Sequence, residues 1–232
     1  MLGPLDYALW IASGLAQGGS VVCLIMAGSF RRYFPLSLCM LATFFFTVSR
    51  YLIFEHYGID SSQYWFFYYY SEALLTICLY CALMALYSDV FQEMGASRYV
   101  RIAAVLLLGL TALFSYQVVN EARDQMFSRF VVKLGQNMNF LGVVLTYMLW
   151  AAVLKLRETR TRLIQLVLAL GIYFSVFAAN FALRNLYPSL SVVWQYLPPI
   201  MALWLPLAGG YTFLKIPEEA RLTTARVAAP NR

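Results

Sequence analysis

Seven long apolar runs constrain the fold of this chain more than any other feature. Each run has about 20 residues, the length that an α-helix needs to cross about 30 Å of hydrocarbon. The apolar residues are continuous rather than alternating, which favours helices over the strands of a membrane barrel. The sequence therefore predicts seven membrane spans, at residues 5–30, 34–54, 64–90, 99–119, 127–154, 163–183 and 190–214.

The composition also indicates an integral membrane protein. Hydrophobic residues make up 62% of the chain and charged residues 12%, whereas soluble domains have about 25% charged residues. We predict an all-α polytopic fold with one seven-helix transmembrane domain over residues 1–216. The first run lacks a basic segment before it, so it is expected to remain as a helix. Residues 217–232 are polar and are predicted to form a disordered cytoplasmic tail.

The lysines and arginines predict the orientation of the spans. Twelve lie near one set of span ends: Arg31, Arg32, Arg98, Arg101, Lys155, Arg157, Arg160, Arg162, Lys215, Arg221, Arg226 and Arg232. The other five lie toward the opposite ends. The positive-inside rule then places the N-terminus outside and the C-terminus in the cytoplasm. We expect the protein to lie in the lipid bilayer of a bacterial cytoplasmic (inner) membrane. The net charge of +6 is mostly this positive-inside bias, so no nucleic-acid partner is predicted.

A polar stripe enters the fifth span from its outer end. Arg129, Lys133, Gln136 and Asn137 are spaced i, i+4, i+7 and i+8, so they project from one face of a helix. Such a stripe is costly at membrane depth unless it faces protein or a wet cavity. It predicts a pocket that opens to the outside.

Glu72 is the carboxylate that lies deepest in the outer half of the predicted bundle. An ionised carboxylate at that depth needs a partner. The sequence offers Arg50, Lys133 and Arg184, and an ion pair that only joins two helices is an equally open interpretation.

Together these residues predict a basic pocket with one carboxylate and aromatic walls, suited to an anionic or amphipathic small molecule. The predicted ligand-binding residues are Arg50, Tyr69, Glu72, Lys133, Gln136, Asn137, Tyr173, Asn180, Arg184, Trp194 and Tyr196. No nucleophile, base and orienter are grouped, so no catalytic residue is predicted. The only histidine, His56, stands without a metal-binding cluster, and neither metal nor cofactor is expected.

Two motifs carry a resemblance. Arg31-Arg32-Tyr33-Phe34-Pro35 precedes the second span, and Tyr70-Ser71-Glu72-Ala73-Leu74 lies in the third. This pattern is similar to uncharacterised bacterial seven-helix proteins that look like the sensor parts of signalling proteins. The chain does not resemble a retinal-binding rhodopsin in its last span, whose only lysine is Lys215 at the cytoplasmic end.

Three functional classes follow from the sequence. The first is a module that senses a ligand or regulates a partner membrane or cytoplasmic protein. The second is a small-solute transporter with a three-plus-one-plus-three repeat, because a shift of 130 residues sets Arg32 on Arg162 and Arg50 on Asn180. The third is an accessory subunit that buries its polar face against another chain.

Overall fold

Seven α-helices account for nearly all of the part of the chain that the computed structural model describes, namely residues 4–58, 60–91, 97–119, 126–155, 160–187, 189 and 191–217. The helices are α1 (Pro4–Met26), α2 (Phe34–Tyr57), α3 (Ser62–Phe91), α4 (Ser97–Val119), α5 (Met126–Lys155), α6 (Thr161–Leu186) and α7 (Ser191–Lys215). Beyond residue 217, the predicted tail lies outside the described residues.

The all-helical fold with seven helices is confirmed, and all seven are long and apolar enough to cross a membrane. Their ends lie within four residues of the predicted ones. The largest difference is at α1, which ends at Met26 rather than at residue 30. Gly28 has a φ of +63°, a left-handed conformation that glycine adopts at no steric cost. The chain turns there, although the apolar run continues.

The helices pack as a ring with α3 reaching toward its centre. Each helix contacts the next one in the sequence, and α7 returns to contact α1. α3 packs against α2, α4 and α5, and more lightly against α6. Because the connections are short, successive helices run in opposite directions. α4 contacts only α3 and α5 to any extent, so it forms an edge of the bundle.

The tightly packed core occupies one half of the bundle. We call the end of the bundle that holds the last residues of α7 the C-terminal end, and the opposite end the N-terminal end. The fully buried leucine and valine side chains all lie in the half next to the C-terminal end: Leu24, Leu36, Leu83, Leu86, Leu149, Leu163, Leu166, Val167 and Leu170. The predicted pocket residues lie in the other half, except for Tyr173, which is at the middle of α6 and packs against this core.

Candidate functional site

Arg50, on α2, is the most extensively bonded charged residue in the N-terminal half. Its Nε donates to Ser71 Oγ at 2.7 Å, and its Nη2 donates to the Tyr68 carbonyl oxygen at 3.3 Å. Nη2 also lies 3.0 Å from Glu72 Oε2. The guanidinium carbon sits 4.5 Å from the centre of the Tyr68 ring, within the range of a cation–π contact. Four groups of α3 therefore hold this side chain against that helix.

The Glu72 side chain remains partly exposed although it is paired with Arg50. Its side chain is 45% exposed, whereas that of Arg50 is 15% exposed. The sequence offered three cations as partners, and the fold selects Arg50. An exposed carboxylate at this depth is expensive in hydrocarbon. We therefore expect it to face either a wet hollow or another molecule.

Three predicted residues, Tyr173, Asn180 and Arg184, lie on one face of α6, and Tyr173 is the one near Glu72. Tyr173 is close enough to Glu72 to interact with it electrostatically. Asn180 lies seven residues on, so it projects from the same face. Its side chain is 5% exposed, and its Oδ1 is buried without a hydrogen-bond partner among the described residues. Arg184, one turn further on, is exposed.

The polar stripe of α5 is divided between two surroundings. Lys133 is exposed, and its Nζ donates to Gln136 Oε1 at 3.2 Å within the same helix. Asn137 instead donates from Nδ2 to Ser115 Oγ on α4, at 2.9 Å. An open groove of about 310 Å³ lies beside it. The groove is lined by Leu110, Thr111, Phe114, Asn137 and Phe140. Thus Asn137 joins α4 to α5.

The predicted aromatic walls come from three helices. Trp65 and Tyr69 of α3 stack with their ring centres 5.9 Å apart, and Tyr69 meets Tyr68 edge to face. Trp194 is buried, and its indole nitrogen donates to the Tyr187 carbonyl oxygen at 2.8 Å. This bond ties the start of α7 to the end of α6. Tyr196 is half-buried on α7.

Arg162 was counted in the sequence only as a cytoplasmic charge, but it is buried at the C-terminal end. Its side chain is 4% exposed. Nη1 donates to Ser29 Oγ at 2.6 Å, and Nε and Nη2 donate to the Ile216 carbonyl oxygen at 3.2 and 2.6 Å. It therefore joins the α1–α2 turn, α6 and the end of α7. A basic residue in the first turn of a helix opposes the helix dipole, and this was the only sequence signal.

A second arginine contact closes the same end. Arg160 Nη2 donates to the Asp89 carbonyl oxygen at 3.1 Å, which ties the start of α6 to the last turn of α3. The Asp89 carboxyl also interacts electrostatically with Arg160 and Arg32. Since these bonds join α3, α6, the end of α7 and the α1–α2 turn, the C-terminal end is closed by polar contacts as well as by its apolar core.

No group of three or more His, Cys, Asp and Glu side chains suited to a metal ion occurs within the described ranges. The candidate site is thus an arginine–glutamate pair with tyrosine neighbours. No protein family, curated protein or solved structure matches the chain. The function has to be argued from the geometry of the site.

Proposed function

We propose that this protein is a sensor of the bacterial cytoplasmic membrane, with its N-terminus outside. In this proposal a small molecule binds in a hollow of the N-terminal half, at the Arg50–Glu72 pair. Binding alters a cytoplasmic or membrane partner. The observation that carries the proposal is the unequal exposure of the pair: Arg50 is fixed by four groups of α3, while 45% of the Glu72 side chain stays accessible.

The distribution of packing supports sensing over transport. A transporter needs a polar path that opens to each side in turn. Here the C-terminal half holds the densest apolar core, and Arg162 and Arg160 bond across its end. A ligand site in one half, as proposed, with a densely packed half opposite it is the arrangement that we expect of a receptor-like module.

The proposal is tested by binding to the protein in nanodiscs. A panel of charged and amphipathic small molecules is screened by thermal unfolding of the wild type, of Glu72→Gln and of the control Glu55→Gln. Glu55 is an exposed carboxylate at the end of α2, so its variant makes the same charge change away from the pair. We expect at least one compound to raise the Tm of the wild type and of the control, but not that of Glu72→Gln.

Two outcomes would contradict sensing. Accumulation of the stabilising compound inside proteoliposomes would identify a transporter. A panel in which every compound acts equally on the three proteins would indicate that the pair only joins α2 to α3, as expected for an accessory subunit.

A further inference from the structure

We infer that the ligand presents an organic ammonium group to Glu72, rather than the anionic group that the excess of basic residues predicts. This inference rests on the proposed function, because it names the ligand class of the same hollow. Three features support it: the exposure of Glu72, the unpaired amide oxygen of Asn180, and the aromatic rings on α3 near Glu72.

The reachable charge is negative. Arg50 spends its Nε and Nη2 on Ser71, the Tyr68 carbonyl group and Glu72, and it is 15% exposed. Glu72 is three times as exposed. An incoming anion would meet a guanidinium that is already satisfied at these atoms and a partly exposed carboxylate beside it. A cation would gain a charge-assisted hydrogen bond to the open part of that carboxylate.

A second acceptor lies on α6, in the same half of the bundle. The bond between Arg160 and the Asp89 carbonyl group fixes α6 against α3. Seventeen residues separate Glu72 from Asp89, and twenty separate Asn180 from Arg160. At 1.5 Å per residue these separations correspond to about 26 Å and 30 Å of helix, so both side chains lie in the N-terminal half.

The side-chain amide of Asn180 has an unused hydrogen-bond acceptor. Its Oδ1 is buried without a partner among the described residues, and an unmet polar group is expensive inside a membrane. Because a side-chain amide can rotate, Asn180 can either donate or accept a hydrogen bond. The charge of the ligand is therefore determined by Glu72. Tyr173, on the same face of α6 as Asn180, is near enough to Glu72 for an electrostatic interaction.

Aromatic rings line the approach along α3. Trp65 and Tyr69 lie seven and three residues before Glu72, on one side of the helix, and their rings stack. Trp65 is 43% exposed. Aromatic faces attract organic cations, and recognition of ammonium groups commonly combines such faces with a carboxylate. Arg184 opposes a cation, but it is exposed at the end of α6, where solvent screens its charge.

The inference is tested by the charge preference of a thiol placed in the hollow. Tyr69→Cys is prepared in the full chain, with Tyr70→Cys as the matched position, since Tyr70 is exposed on a neighbouring face of α3. Two membrane-impermeant methanethiosulfonate reagents are applied from outside, one carrying a trimethylammonium group and the other a sulfonate group. Labelling of the unmodified protein corrects for its native cysteines.

We expect the ratio of the cationic to the anionic labelling rate to be about 10-fold higher at position 69 than at position 70. Adding Glu72→Gln should remove most of this difference, whereas adding Glu55→Gln should leave it. Equal ratios at the two positions, or a preference for the sulfonate reagent at position 69, would overturn the ammonium ligand while leaving the outward hollow intact. If neither reagent reaches position 69, the hollow and hence the proposed function fall as well.

Discussion

The Arg50 guanidinium illustrates how an intramembrane charge is made tolerable by neighbours of several kinds. A hydroxyl, a carbonyl group, a carboxylate and an aromatic face all come from α3. Glu72, by contrast, has Arg50 as its ion-pair partner. The two members of the pair should therefore respond differently to neutralisation.

We predict that Arg50→Gln destabilises the protein more than Glu72→Gln. Removal of the Arg50 guanidinium takes away the hydrogen bond to Ser71 and leaves the Glu72 carboxylate without its ion-pair partner. We therefore expect a loss of about 2 kcal/mol in the free energy of unfolding. Glu72→Gln leaves the other Arg50 bonds in place and should cost less than about 1 kcal/mol. Unfolding of both single variants and of the double variant in mild detergent gives the coupling energy.

The coupling energy between the two substitutions is expected to be about 0.5–1 kcal/mol, the size found for polar pairs in membrane proteins. Lys133→Gln is the control, because Lys133 bonds only within its own helix in the described contacts and is exposed. A coupling energy near zero would show that the ion pair contributes nothing to the stability of the α2–α3 contact.

At this scale the sequence could identify the ionisable residues but not their pairing. Arg50, Lys133 and Arg184 were equivalent partners for Glu72 as long as the rotation of each helix was unknown. Arg162 was harder still, because its partner Ser29 is 133 residues away. Long-range contacts of this kind depend on helix order and helix rotation together, and neither follows from the apolar pattern.

Among the elements, α5 shows why a polar stripe does not specify a single neighbour. At 100° per residue the stripe from Arg129 to Asn137 covers about 100° of the helix surface. An arc of that width can face two different surroundings. Asn137, at one edge of it, reaches Ser115 on α4, while Lys133 stays exposed. The helix and its stripe were predictable, but the convergence of the whole stripe on one hollow stays a prediction.

The opposite part of α5 depends on a close approach to α6. A methyl group at Gly142 would overlap the buried ring of Phe174. On α6, a methyl group at Gly171 would lie 2.9 Å from Thr146 Cγ2. Small residues at such positions let membrane helices pack closely. The sequence alone does not indicate this contact, because glycines isolated in apolar runs carry no signal of what they pack against.

We predict that Gly142→Ala destabilises the protein by about 1–3 kcal/mol, because the overlap forces α5 and α6 apart. Gly135→Ala is the matched control on the same helix, since nothing lies within 4 Å of the added methyl group. The control should be neutral or slightly stabilising, because alanine favours helices over glycine. Thermal unfolding of the two variants side by side checks this. Equal Tm values would mean that Phe174 can move aside freely.

Over the whole molecule, the C-terminal end is held by its arginine contacts as well as by its core. Arg162 bonds to Ser29 and to the Ile216 carbonyl group simultaneously. A lysine has one ammonium group without the planar fork of arginine, so a single nitrogen would have to replace the three that bond here. We predict that Arg162→Lys loosens the end of α7 and costs about 1–3 kcal/mol.

Hydrogen exchange measured by mass spectrometry checks this prediction locally. The peptide that covers residues 207–217 should exchange faster in Arg162→Lys than in the wild type. Arg31→Lys is the control, because Arg31 is exposed at the same end and should leave the exchange of this peptide unchanged. Unaltered exchange in both variants would show that the apolar core alone holds α7.

The orientation of the bundle gives the last prediction. In the sequence, twelve of the 17 basic residues flank the span ends on the same side as the end of α7, and the positive-inside rule predicts that this side faces the cytoplasm. In intact cells, a membrane-impermeant thiol reagent should label Asp60→Cys, in the α2–α3 turn, more strongly than the parent protein. Arg31→Cys, in the α1–α2 turn, should gain labelling only after the membrane is permeabilised. Both positions are exposed turn residues, so they differ mainly in the side of the membrane. The reverse pattern would turn the Glu72 hollow toward the cytoplasm and make its ligand an intracellular one.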